Sequence, residues 1–264
     1  MQPVTPFFRE AGSGPGVVCL HANASSSGQW RALMEALAPR FHVFAPDAYN
    51  VGKSPTWPLE RPVRLRDEVD LLEPVFARAG DPFAVVAHSY GAATALIAAL
   101  AHPGRIRVMA LYEPVLFALV DAQTPPPNDA DGIRDAIARS IAALAADDRA
   151  EASRCFIDFW MGQSAFDGMP EQRKAPIAAS IVNIGRWADA LFNEPTPLRA
   201  FSELDIPVLY MCGKDSQPSA RGVTRLLTRT LPQVEVVEFE GLGHMGPVTH
   251  PEVVNRTICR FLGA

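Results

Sequence analysis

A serine at the end of an apolar run, flanked by small residues, is the first feature of this chain suited to chemistry. In Val85-Val-Ala-His-Ser-Tyr-Gly-Ala-Ala-Thr94 a strand-like run passes into an Ala-rich, helix-forming stretch through Ala87-His88-Ser89-Tyr90-Gly91. A strand that turns at once into a helix holds its middle residue in strained backbone, so the positions two before and two after must be small. Ala87 and Gly91 meet that demand. The Ser89 hydroxyl then stands above the sheet as a nucleophile, and the Tyr90 N–H at the helix N-terminus faces any oxyanion formed on attack. The competing role for such a serine is a plain helix cap.

A serine nucleophile needs a base. Gly241-Leu-Gly-His-Met-Gly-Pro247 offers His244 in a Gly-rich loop directly after the apolar run 234–239, where tight turns keep an imidazole unblocked. A histidine base in turn needs a carboxylate to fix its tautomer and stabilise the imidazolium. Asp215, in Leu209-Tyr-Met-Cys-Gly-Lys-Asp215, follows another apolar run and is the preferred acid. Glu113, in Leu111-Tyr-Glu-Pro114, ends a third run and is the alternative, its other reading being an anchor for the chain that follows.

These residues have to be placed by regular elements, and the hydrophobic period predicts them. Short apolar or β-branched runs at 7–10, 17–21, 42–46, 83–88, 108–113, 208–212 and 234–239 read as strands, several apolar throughout as in a sheet covered on both faces. Helices are expected at 29–37, 64–79, 90–101, 219–231 and 251–262. Alternation of this kind predicts an α/β fold with a mostly parallel, doubly wound sheet of about seven to eight strands. Between 114 and 205 no strand pattern is present. Ile133, Ile137, Ile141 and Leu144 recur at helical spacing after Asp131, a candidate cap, and further helices are expected at 152–161, 170–191 and 198–204. The expected organisation is one core domain, 1–113 with 206–264, and a helical insertion at 114–205. Ser89, Asp215 and His244 would then each lie at the C-terminal end of a strand, where open α/β sheets bind ligands.

Composition narrows the function classes. The chain has 264 residues, 48% hydrophobic and 20% charged, with 24 Lys and Arg against 29 Asp and Glu, a net charge of −5. That balance, with no basic cluster, argues against nucleic-acid partners. The most apolar stretch, 92–101, is about half the length of a bilayer-spanning helix, so no membrane association is expected. Four dispersed cysteines without a Cys-x-x-Cys pair or a signal peptide predict reduced thiols in a cytoplasmic protein. Metal-ligand spacing is absent, and no metal or cofactor is expected. Two nucleotide-binding look-alikes fail: too little chain follows Gly241-Leu-Gly-His-Met-Gly246 for a dinucleotide fold, and Gly52-Lys-Ser54 lacks the leading glycine of a phosphate loop and runs into Pro55.

With these residues in hand, the chain resembles the α/β-hydrolase superfamily over residues 7–262. Beyond the serine turn, Leu20-His-Ala-Asn-Ala-Ser-Ser-Ser-Gly-Gln-Trp30 is similar to the family's His-Gly oxyanion loop, and Ala45-Pro-Asp47 with Val51-Gly-Lys-Ser54 to its Asp-x-x-Gly-x-Gly-x-Ser loop. Ala22, Asn50 and Ala87 stand where glycine is usual, and each is small or tolerates positive φ. The insertion resembles the family's cap. The resemblance implies a cofactor-independent serine hydrolase that cleaves an ester, thioester or lactone bond of a small, largely apolar substrate. In it Ser89 is nucleophile, His244 base and Asp215 acid, with backbone N–H groups of Tyr90 and of the Ala22-Asn23 loop as oxyanion donors. Carbon–carbon bond hydrolysis and metal-free haloperoxidase chemistry use the same triad. A non-catalytic ligand-binding protein on this scaffold is the reading from another class. His21 reads as a brace for the oxyanion loop, and Trp160 and Trp187 as candidate pocket residues. The oligomeric state is not legible.

Overall fold

The computed structural model describes residues 4–58 and 61–264. Its elements, in chain order, are β1 (Phe8–Ala11), β2 (Gly16–Leu20), α1 (Arg31–Leu37), β3 (His42–Pro46), α2 (Leu65–Ala79), β4 (Phe83–His88), α3 (Tyr90–Ala101) and β5 (Ile106–Tyr112). There follow α4 (Phe117–Gln123), α5 (Asp131–Ala145), α6 (Arg149–Met161), α7 (Glu171–Ser180) and α8 (Ile184–Phe192). The chain then returns through β6 (Val208–Gly213), α9 (Pro218–Thr230), β7 (Val234–Phe239), the single turn α10 (Gly246–Thr249) and α11 (Pro251–Leu262).

Among the described residues the strands form one seven-stranded sheet in the order β1-β3-β2-β4-β5-β6-β7, with β1 antiparallel to β3 and every other pair parallel. Strand alternation sends Val17, Cys19, Ala84, Val86 and Ala110 into a core beneath α1 and α11. Their neighbours Val18, Leu20, Val85, Ala87 and Leu111 face a larger core under α2, α3 and α9. This is the expected doubly wound arrangement, and being covered on both faces is why β2, β4 and β6 are buried from end to end and, apart from His88 closing β4, carry no ionisable side chain but cysteine and tyrosine. Helix α3 is buried over nearly its whole length, and its alanines let it lie close to the sheet.

Strands β5 and β6 are hydrogen-bonded neighbours, with Met109 opposite Val208, although about ninety residues separate them in sequence. That intervening chain contains helices and 3-10 turns but no strand among the described residues. Two local expectations differ from the structure. The 170–191 stretch is not one helix: a 3-10 turn at Ile181–Asn183 divides α7 from α8, with the Asn183 side chain donating to the Ser180 carbonyl at 3.0 Å. Asp131 does not cap α5 from outside; it is the first helical residue, and its carboxylate accepts from Asn128 N–H at 2.9 Å. All four cysteines are unpaired, and among the described residues no helix is long and apolar enough to cross a membrane.

Candidate active site

Ser89 lies between β4 and α3 at φ 58° and ψ −117°, a strained conformation for a non-glycine residue. The turn is tight enough to demand Gly91: a Cβ there would sit 2.6 Å from the carbonyl oxygens of Leu20 and His21 on β2 and the loop after it. Ser89 Oγ is 2.9 Å from His244 Nε2. On the other side of the ring, His244 Nδ1 lies 2.7 Å from Glu113 Oε2. All three side chains are buried, Glu113 completely. The second Glu113 oxygen accepts from Gly213 N–H at 2.8 Å and from Ser216 Oγ–H at 2.5 Å, so the carboxylate is fully hydrogen-bonded without a cation.

The preferred acid of the sequence reading, Asp215, is not at this position. Its backbone N–H donates to Leu242 O at 2.9 Å, which sets the chain edge-on to the His244 loop and leaves the side chain exposed. Glu113 instead continues β5 by one bond, its N–H donating to Met211 O at 3.0 Å, and a φ of 42° turns its side chain over the strand ends toward His244. Glu113, the alternative acid, is thus the carboxylate in contact with His244, and Asp215 lies at the surface.

The histidine loop is pinned by the last residues of two strands. His88 Nε2–H donates to the His244 carbonyl at 2.8 Å, and Tyr112 Oη–H donates to the Gly243 carbonyl at 2.8 Å. Since Nε2 of His88 must be the donor, its Nδ1 accepts, and it does so from Gln29 Nε2 at 3.1 Å. Burial, with the neighbouring His244, holds the His88 imidazole well below its ordinary pKa and so keeps it neutral in this relay. Gln29 Oε1 then accepts from Ala22 N–H at 3.2 Å. That bond takes up the Ala22 N–H, one of the expected oxyanion donors. Among the described residues the N–H groups of Asn23 and Tyr90 carry no hydrogen bond, and Asn23 and Ser89 line one cleft. His88 and Gln29 were not legible as a pair, because 59 residues separate them and the two motifs that contain them give neither a role.

His21 braces the loop as expected: Nδ1–H donates to Ala22 O at 2.7 Å, and Nε2 accepts from Ala48 N–H at 3.1 Å. Asn50, at a family glycine position, adopts φ 61°. On the hidden side of the serine turn, Tyr90 Oη–H donates to the buried Glu68 at 3.2 Å, and Tyr49 N–H donates to its other oxygen at 3.1 Å. Burial pushes the Glu68 carboxyl up to about 7 from 4.5. The native state thus keeps a proton that the unfolded chain releases, so this group's contribution to stability falls as pH rises from about 4.5 to about 7 and is flat above. Glu68→Gln should remove that slope; denaturant midpoints of parent and variant at both ends of the window should diverge in the variant's favour at the alkaline end.

Above the serine lies a cleft of about 780 Å³ between the strand ends and the helices that join β5 to β6. Phe117, Ile133, Phe156 and Trp187 give it an apolar interior. Trp160, on α6, stacks on the His244 ring with centroids 3.9 Å apart and planes 29° from parallel. Both tryptophans singled out in the sequence therefore face the cleft, one of them directly on the imidazole. Among the described residues no group of three or more His, Cys, Asp or Glu side chains is placed to hold a metal ion.

A doubly wound sheet with a serine on a strained strand-to-helix turn and a histidine at the end of a later strand defines the class, and sequence comparison agrees with it. The chain belongs to the alpha/beta hydrolase family, which matches residues 17–257, and it is a hydrolase. It is similar to pimeloyl-[acyl-carrier protein] methyl ester esterase of Nitrosomonas europaea, at 24% identity over 91% of this chain and 93% of that protein. It is also similar to 2-(acetamidomethylene)succinate hydrolase of Mesorhizobium japonicum, at 26% identity over 99% and 92%. A solved alpha/beta hydrolase from Sphaerobacter thermophilus shares 26% identity and superposes with a TM-score of 0.73, covering 97% of this chain and 95% of that one.

Proposed function

We propose that the protein is a cofactor-independent serine hydrolase that cleaves an ester, thioester or lactone bond of a small, largely apolar substrate through an acyl-enzyme. The observation that carries this reading is the unbroken series from Ser89 through His244 to Glu113 at the floor of an apolar cleft. Ser89 Oγ attacks the carbonyl carbon while His244 Nε2 takes its proton. Glu113 holds the Nδ1–H and stabilises the imidazolium. The N–H groups of Tyr90 and Asn23 stabilise the oxyanion. As the tetrahedral intermediate collapses, the imidazolium protonates the leaving group. Water then enters, gives its proton to His244 and releases the acid from Ser89. The relative named as a methyl ester esterase supports this bond class.

The face of Trp160 adds a cation–π contact to the imidazolium as it forms, worth about 1–2 kcal/mol when desolvated. Trp160→Leu is expected to lower kcat by roughly tenfold when assayed well below the variant's own thermal midpoint, which falls because the indole is buried, and Trp160→Phe to recover part of the loss. Trp187 lies against Phe156 with ring centroids 6.3 Å apart and helps close the apolar interior. Each methylene buried there contributes about 0.8 kcal/mol until the cavity is full.

A fluorophosphonate probe should label the native protein and not the folded Ser89→Ala variant. Nitrophenyl esters of rising acyl length, a thioester and a lactone then rank the bond types. A native protein that stays unlabelled would refute the serine nucleophile. Turnover of a 1,5-dioxo compound in preference to every ester would move the same triad to carbon–carbon bond hydrolysis.

A further inference from the structure

The cleft above Ser89 has an uneven charge that the triad does not use. Among the described residues that line it, the only charged side chains are Arg31 and Arg173, and no carboxylate is present. In a chain with five more acidic than basic residues this is a local reversal of sign. Both arginines are exposed, whereas Ile133, Phe156, Ile177 and Trp187 behind them are buried, so the cations stand at the mouth and the apolar surface within.

The two come from different elements, far apart in sequence. Arg31 opens α1, directly after the 3-10 turn Ser27–Trp30, where Gln29 is tied into the His88 relay and Trp30 is buried in the core. Arg173 belongs to the insertion. On α7 it shares a face with Pro176, Ile177 and Ser180, at helical spacing, and all four line the cleft. The apolar wall of α7 thus ends in a guanidinium at its outer turn. Neither side chain makes a hydrogen bond or ion pair among the described residues, so both forks are available to a ligand, unlike Arg105, Arg134 and Arg154, which are held by carboxylates.

We propose that Arg31 and Arg173 form an anion-recognising mouth, so that the preferred substrate joins an apolar group, buried under the insertion, to a carboxylate or other anion that reaches the entrance. The inference rests on the hydrolase reading of the same cleft and gives it a substrate class. A mouth of one sign with low-dielectric walls concentrates anions against the repulsion of the overall negative chain. A guanidinium fork binds a carboxylate through two parallel hydrogen bonds, which a neutral ester end cannot supply twice over.

The test compares nitrophenyl hexanoate with its hemiadipate counterpart, which carries a carboxylate on the acyl end, and with the hexanoate of a carboxylated nitrophenol, which carries it on the leaving group. Native protein should favour one of the two anionic esters over the neutral one by roughly tenfold in kcat/KM. Arg31→Gln and Arg173→Gln should each reduce the preference, the double variant should abolish it, and turnover of the neutral ester should stay within about twofold throughout, because neither arginine touches the reacting atoms. Added salt should narrow the native preference. Equal rates for neutral and anionic esters, or a preference that survives in the double variant, would overturn the proposal while leaving the serine hydrolase intact. Failure of every ester would count against the reaction instead. In that event calorimetry of 6-phenylhexanoate against 6-phenylhexanamide with the Ser89→Ala protein reads the mouth directly. Tighter binding of the acid that is lost in the double arginine variant supports it, and equal binding, or tighter binding that persists there, overturns it.

Discussion

Ser89→Ala and His244→Ala are each expected to lower ester kcat by roughly 10⁶-fold, and the double variant to fall little further. Without Ser89 no acyl-enzyme forms, and without His244 the hydroxyl keeps its proton, so either loss disables the same step. Residual turnover would come from the Tyr90 and Asn23 N–H groups, which still stabilise an oxyanion on direct attack by water. Single-turnover assays on variants with native thermal melts make the measurement. Losses that add on a logarithmic scale in the double variant would mean that the two residues act independently, contrary to the 2.9 Å contact between them.

The acid carries the second large effect. Glu113→Gln should reduce kcat by about 10⁴-fold, the scale seen when a triad histidine loses control of its tautomer. Gly213 N–H and Ser216 Oγ–H both donate to one oxygen of Glu113, so the oxygen of a glutamine would stay with them. Its amide N–H₂ would then face His244 Nδ1, drive the ring proton to Nε2 and leave the imidazole unable to accept from Ser89. Asp215→Asn, on the exposed turn, should change kcat by less than about twofold. The reverse ranking in folded variants would return the acid to Asp215.

That assignment shows where sequence reading stops. Ser89 and His244 are legible because their chemistry is written locally, the first in a strand meeting an Ala-rich helix through Ala87 and Gly91, the second in a glycine-rich loop. The strands were legible for the same reason: period and apolar content mark 42–46, 83–88 and 234–239 with the bounds the structure shows. Glu113 and Asp215 each follow a strand, and nothing in their flanks distinguishes them. The choice is made by a positive φ at Glu113 and by the Asp215 N–H being taken by Leu242, both of which exist only once β5, β6 and β7 lie side by side. The relay through Gln29 and His88 was hidden for a related reason. Its members come from two separate motifs, and neither motif assigns its polar side chain a partner. The break at Ile181–Asn183 escaped because the apolar period carries on through it.

The Glu113 carboxylate also ties together two distant parts of the chain. It stands at the point where the chain leaves the sheet for the helices between β5 and β6, and it grips Gly213, the last residue of β6, and Ser216 just beyond, where the chain has come back. One side chain therefore fastens both edges of the gap. The stretch 114–205, which we propose is an insertion, hangs between two posts that are already clasped, so its length and sequence can drift, or be exchanged, while Glu113 stays held, provided that an aromatic ring is kept where Trp160 stacks on His244. A chimaera joined inside that stretch would exchange substrate walls and keep the proton-handling unit of this chain. A chimaera joined within 111–113 or 213–216 would break the clasp and lose both at once.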